Sequence, residues 1–156
     1  MRPMTRLTAV LLALLTLLPA VANADRGTSR QAKLLLDNAI LELEKSGPEA
    51  AFASFNNPSG PFVQKDLYIF AIDMKGKYYA SGANPALVGS SLAEVSDAAG
   101  TPVGQQILKL AEVMGYGIVE YEWLNRQSND VEHKFSRIRR VGDYVLGVGF
   151  YLPETD

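Results

Sequence analysis

The chain of 156 residues has no cysteine, one histidine and one tryptophan. Without cysteine it can form no disulfide, carry no thiolate nucleophile and take no lipid anchor on an N-terminal thiol, so packing alone must hold the fold. The single histidine, His133, cannot anchor a zinc site unaided and reads as a surface residue. No H-E-x-x-H, no G-x-S-x-G elbow and no cysteine–histidine pair occurs. Asp73, Glu120, Glu122 and Asp143 lack the spacing of a calcium loop. No metal, no cofactor and no known catalytic constellation is therefore expected. An excess of positive charge is missing too, since 15 Lys and Arg stand against 17 Asp and Glu, which gives a nucleic-acid role no overall electrostatic support.

One long apolar run is present, at the start. Arg2 and Arg6 precede Leu7 to Leu18, which is broken only by Thr8 and Thr16; Pro19 and the small-x-small triplet Ala22-Asn23-Ala24 follow. That order is a secretory signal peptide over residues 1–24, too short for the ~20 apolar residues of a membrane span. Cleavage after Ala24 leaves 132 of the 156 residues and removes two of the 15 cations, for a net charge of −4. A periplasmic product is expected, one domain over residues 25–156.

Thr28-x-x-Gln31 is a capping box, and Ala32, Leu35, Leu36, Ala39, Ile40 and Leu43 repeat at helical spacing up to Ser46-Gly47-Pro48. Pro48 opens a shorter helix carrying Phe52 and Phe55. "DLYIFAID" and "KYYAS" read as strands around a turn at Met74-Lys75-Gly76, and residues 82–100 as a covering loop. Thr101 as N-cap with Pro102 starts a helix whose stripe is Val103, Ile107, Leu110, Ala111 and Met114. "IVEYEW", "VEHKFSRIRR" and "DYVLGVGFY" supply three more strands. The expected class is α+β, with a five-stranded antiparallel sheet and helices packed on one side.

Alternation puts Tyr68, Phe70 and Ile72 on one face of the first strand, Tyr121 with Trp123 on the third, Lys134, Ser136 and Ile138 on the fourth, and Gly147, Gly149 and Tyr151 on the fifth. Two glycines on one face leave a hollow that a ligand or the covering loop can enter. Arg137 belongs to the opposite face, and Arg137, Arg139 and Arg140 form a candidate docking surface for a partner.

The motifs D-L-Y-x-F (66–70), N-P-x-L-x-G (84–89), D-x-x-G (97–100), G-x-x-x-Y-x-W (117–123), K-x-S (134–136) and G-x-G-x-Y (147–151) occur in that order. The set resembles a single Cache domain, the PAS-like extracytoplasmic sensor module of bacterial chemoreceptors and sensor kinases. The resemblance implies a long N-terminal helix against a five-stranded antiparallel sheet, with a small-molecule pocket between sheet and covering loop. It also implies short organic acids such as acetate, lactate or pyruvate as ligands. Ser81 stands where many relatives have histidine, and Arg137 where they have tyrosine.

On that resemblance Lys134 is the anchor for a ligand carboxylate, a charge-assisted contact; residue type alone favours an exposed strand charge. Tyr68, Phe70, Tyr79, Tyr121, Trp123 and Tyr151 are candidates for an aromatic wall, with Ser136 and Gly149 beside them; core packing is the competing reading, above all for Phe70 and Trp123. The sequence leaves a free-standing ligand-binding module, a secreted enzyme built on its carboxylates or Ser81, and a ligand-free interaction subunit as alternatives. For the first, the expected partners are a small carboxylate, a membrane sensor kinase, chemoreceptor or transporter component that reads the bound form, and a second copy through the long helix.

Overall fold

The computed structural model describes residues 26–152; the expected signal peptide and its cleavage point lie outside them. The chain opens with a helical element, α1 (Ser29–Phe55). Its capping box forms, with Thr28 Oγ1 accepting from Gln31 N at 3.2 Å and Gln31 Oε1 accepting from Thr28 N at 3.0 Å. The element breaks at Gly47, whose φ of 78° and ψ of 169° are non-helical. A residue before proline is kept out of the helical region, and glycine alone reaches this positive φ without strain, so Gly47-Pro48 starts a second helical segment.

Six strands follow: β1 (Val63–Gln64), β2 (Leu67–Asp73), β3 (Tyr78–Ser81) and, after α2 (Val103–Val113), β4 (Tyr116–Asn125), β5 (Asp130–Val141) and β6 (Tyr144–Tyr151). The sheet order is β1-β2-β6-β5-β4, with β3 on β2, and every pairing is antiparallel. The two-residue β1 adds to the five strands expected. It is too short to leave an alternating pattern in the sequence. α2 begins one residue later than expected, with Pro102 rather than Thr101 at its N-cap.

The helices do not share one side of the sheet. Ala32, Leu35, Leu36, Ala39, Leu43, Phe52 and Phe55 of α1 pack on Leu67, Ile69, Ala71, Leu146, Val148 and Phe150. Val103, Ile107 and Ala111 of α2 pack on the other face with Phe70, Ile72, Val119, Tyr121 and Ile138. β2 is buried on both faces as a result, and its run Leu67–Ile72 is correspondingly apolar. Each fully buried Leu, Ile or Phe contributes roughly 1.5–3 kcal/mol to this two-sided core.

The three arginines do not share a face either. Arg137 and Arg139 line a groove beside α1 with Lys33 and Asp37. Arg139 lies over the Tyr116 ring at 5.6 Å, while Arg140 Nε donates to the Gly142 carbonyl at 3.0 Å. Alternation along β5 separates Arg140 from the other two.

Candidate functional site

Segment 82–102 crosses the α2 side of the sheet and is fastened at both ends. Near β3, Tyr78 N donates to Ser90 O and Gly89 N to Tyr78 O, both at 2.9 Å. Near β4, Asp97 Oδ1 accepts from Ala99 N and Thr101 N at 2.9 and 2.7 Å, and its Oδ2 accepts from Glu122 N at 3.1 Å. Desolvation works to raise the Asp97 pKa, but the backbone donors of Thr101, Glu122 and Ala99 outweigh it and hold the carboxyl below its ordinary value.

Beneath this cover lies an inner cavity of about 80 Å³, lined from the sheet by Tyr68, Phe70, Tyr78, Tyr121, Trp123, Ser136 and Gly149. A water needs about 10–15 Å³ of such space, so the cavity admits a molecule of a few heavy atoms. Tyr121 Oη and Ser136 Oγ are 2.7 Å apart and buried. Burial pushes the phenols of Tyr78 and Tyr121 well above their ordinary pKa, so both stay protonated and can donate.

A second, outer chamber of about 260 Å³ adjoins the first, and Tyr68, Ala83, Trp123 and Arg126 line both. Lys134 and Tyr151 belong to this outer chamber. Lys134 is only 2 % exposed. Its Nζ donates to Tyr68 Oη at 3.1 Å and lies 4.9 Å from the ring centres of Tyr68 and of Tyr151. Those contacts are favourable to a cation, but none carries a formal negative charge, and no ion pair among the described residues includes Lys134. A buried ammonium without a counter-charge is costly unless an anion joins it.

The glycines of β6 act differently from the hollow expected. A Cβ at Gly149 would collide with Lys134 Cε, and one at Gly147 with the Phe70 ring. The space above them holds these two side chains. The glycines therefore let the lysine stem lie flat on the sheet and aim its ammonium along it.

Eight of the nine expected site residues line the two cavities: Tyr68 and Trp123 both, Phe70, Tyr121, Ser136 and Gly149 the inner, Lys134 and Tyr151 the outer. Tyr79 lines neither. Its ring packs 5.6 Å from Phe52 and 5.4 Å from Tyr144, on the α1 side. Ala71 pairs with Ala80 and Ile72 with Tyr78, so a β-bulge skips Tyr79 and turns Tyr78 into the cavity instead. Several polar lining residues escaped the sequence reading, Tyr78, Arg126 and Asp66 among them. Tyr78 was hidden by that bulge, while Arg126 and Asp66 sit at strand ends, where no periodicity assigns a face.

Ser81 is buried and lines the inner cavity, but no acid or base among the described residues bonds its hydroxyl. His133 lines neither cavity; its ring nitrogens bond Glu120 and Glu122 on the exposed edge strand β4. Among the described residues no cluster of three His, Cys, Asp or Glu side chains could hold a metal ion, and no helix is long and apolar enough to cross a membrane.

The fold is similar to solved sensor domains. A methyl-accepting chemotaxis protein from Vibrio parahaemolyticus superposes with a TM-score of 0.67 at 21% identity, over 81% of this chain and 90% of that one. The periplasmic sensor domain of a chemotaxis protein gives 0.61 at 20% identity, over 80% and 90%. A Cache chemosensory domain whose structure was determined for its carboxylic acid recognition gives 0.65 at 19% identity, over 80% and 93%. No curated protein matches. The family model for Single Cache domain 2 matches residues 4–156, nearly the whole chain. With α1 on one face of an antiparallel sheet and a covered cavity on the other, the chain belongs to the Single Cache domain 2 family.

Proposed function

We propose that this protein is a periplasmic sensor domain that binds a small carboxylic acid between sheet and cover. The observation that carries the reading is Lys134: an ammonium 2 % exposed, pinned to Tyr68, with no ion-pair partner among the described residues, at the wall of a chamber large enough for a small molecule. A carboxylate supplies the missing charge, and Arg126, which lines both cavities, supplies a second cation at the passage between them. The buried hydroxyls of Tyr121 and Ser136 receive whatever part of the ligand enters the inner cavity. That one structural relative is described as recognising carboxylic acids agrees with this choice.

The site speaks for binding rather than turnover, because Ser81 has no base and His133 stands away from the cavities. Residues 1–24 act as an export signal, and the occupied form is read by a membrane sensor kinase, a chemoreceptor or a transporter component. A thermal-shift screen of two- to five-carbon acids tests the central claim. A ligand at a hundredfold excess over its Kd adds about 2.7 kcal/mol of stability, and the effect should vanish in Lys134→Met. An unchanged shift in that variant would remove Lys134 as the anchor. Intact mass of the protein recovered from periplasm should begin at Asp25.

A further inference from the structure

Asp66 lines the outer chamber, and the short-acid reading gives its second carboxylate oxygen no task. Its Oδ1 accepts from Gly27 N at 2.5 Å, which ties the residues just before α1 to the start of β2. Its Oδ2 is buried and has no hydrogen-bond partner among the described residues. Asp66 lines the same chamber as Lys134, yet neither enters any of the ion pairs of the described residues. Lys65, another cation of this chamber, directs its Nζ to the Arg26 carbonyl at 3.3 Å. The chamber thus holds, among the described residues, a buried ammonium and a carboxylate with an empty acceptor that do not pair with each other, beside the cations Lys65 and Arg126.

A ligand with only a carboxylate satisfies Lys134 and leaves Asp66 facing like charge. A purely cationic ligand does the reverse. We infer that the outer chamber is built for a zwitterion, an α-amino acid whose carboxylate meets Lys134 and whose ammonium meets Asp66. An α-amino acid carries both charges on one carbon, so a single small molecule can meet both walls. Complementary charge at both ends also rejects simple acids, since each wrong ligand leaves one buried charged group unmatched. The rings of Tyr68, Trp123 and Tyr151 bound the remaining space and receive the apolar part of the side chain.

This inference rests on the reading of the site as a carboxylate pocket, and the experiment separates the two. Isothermal titration compares matched pairs differing only in the amine: alanine with propionate, valine with isovalerate, glutamate with glutarate. In wild-type protein at least one amino acid should bind at least tenfold more tightly than its partner acid. Asp66→Asn keeps an oxygen for Gly27 N–H and loses the charge; it should weaken that amino acid at least tenfold and leave the acid bound as tightly as before or more tightly. Acids that bind as tightly as their amino acids in the wild type overturn the inference and leave the carboxylate pocket standing. An equal loss for acid and amino acid in Asp66→Asn also overturns it. If no member of any pair binds, both readings fall. Should Asp66→Asn fail to fold, the wild-type comparison alone decides.

Discussion

Lys134 Nζ donates to Tyr68 Oη at 3.1 Å across 66 positions of sequence. The contact joins β5 to the start of β2 and stands where the inner and outer chambers meet. It holds an ammonium in place before any ligand arrives, so little side-chain entropy remains to be lost on binding.

Replacing that ammonium should act in opposite directions on stability and on binding. Lys134→Met removes a buried ammonium that no ion pair among the described residues compensates, and an uncompensated buried charge opposes folding. Chemical denaturation of the ligand-free variant should show a midpoint at or above the wild type, while carboxylate affinity falls at least about 30-fold, the lower end of the 2–5 kcal/mol expected when one buried charge partner is truncated. A strongly destabilised ligand-free variant would mean that the lysine is a structural residue.

The β6 glycines should separate in the same two measurements. Gly147→Ala drives a methyl into the Phe70 ring and should cost about 1–3 kcal/mol of stability. Gly149→Ala meets only the flexible stem of Lys134, so its stability cost should be smaller, but the displaced ammonium should lose most of its affinity for acid. Equal stability losses in the two variants would refute this division of roles.

Tyr121 and Ser136 share one buried hydrogen bond at 2.7 Å. Either Tyr121→Phe or Ser136→Ala leaves a buried hydroxyl unmatched and should cost about 1–3 kcal/mol. The double variant should cost clearly less than the sum of the two, because it leaves no orphan. Additive losses in urea denaturation would show that the hydroxyls act independently.

His133 is held by Glu122 and Glu120, which raise its pKa above the ordinary value. A raised folded-state pKa stabilises fully below the unfolded value of about 6.5 and loses that contribution as pH rises through the folded value. The stability difference between wild type and His133→Gln should therefore shrink from pH 6 to pH 9. It should be small and salt-sensitive, since the side chain is half exposed. An NMR titration midpoint at or below 6.5 would contradict the assignment.

Asp97 should make the cover acid-labile. Its pKa is lowered by three backbone donors, so its contribution is present above the unfolded value of about 3.9 and is lost as pH falls through the folded one. The protection factors of the Thr101 and Glu122 amides, referred to the intrinsic exchange rate at each pH, should fall in Asp97→Ala at neutral pH, and in the wild type below about pH 4. Unchanged protection of these two amides would show that the cover is held elsewhere.

Much of this architecture follows from local rules that need no partner. The capping box of Thr28 and Gln31, the break at Gly47-Pro48 and the opposite faces of Leu67 and Tyr68 are fixed by backbone geometry within a few residues, so the sequence by itself determined them. The same period of two placed Tyr121, Lys134 and Ser136 on one side of the sheet. The ordered motifs likewise carried the family. Tertiary structure decided what a short range cannot encode. A single bulge at Tyr79 exchanged it with Tyr78, because one extra residue inverts a strand's phase. The placing of the helices on both faces depended on which elements were free to cover the second one. The division into two chambers, the bed that Gly149 makes for the Lys134 stem, and the presence of Asp66 and Arg126 at its walls arise from contacts between strands and strand ends far apart in sequence. Burial and charge are sums over such neighbours, and only the folded chain brings them together.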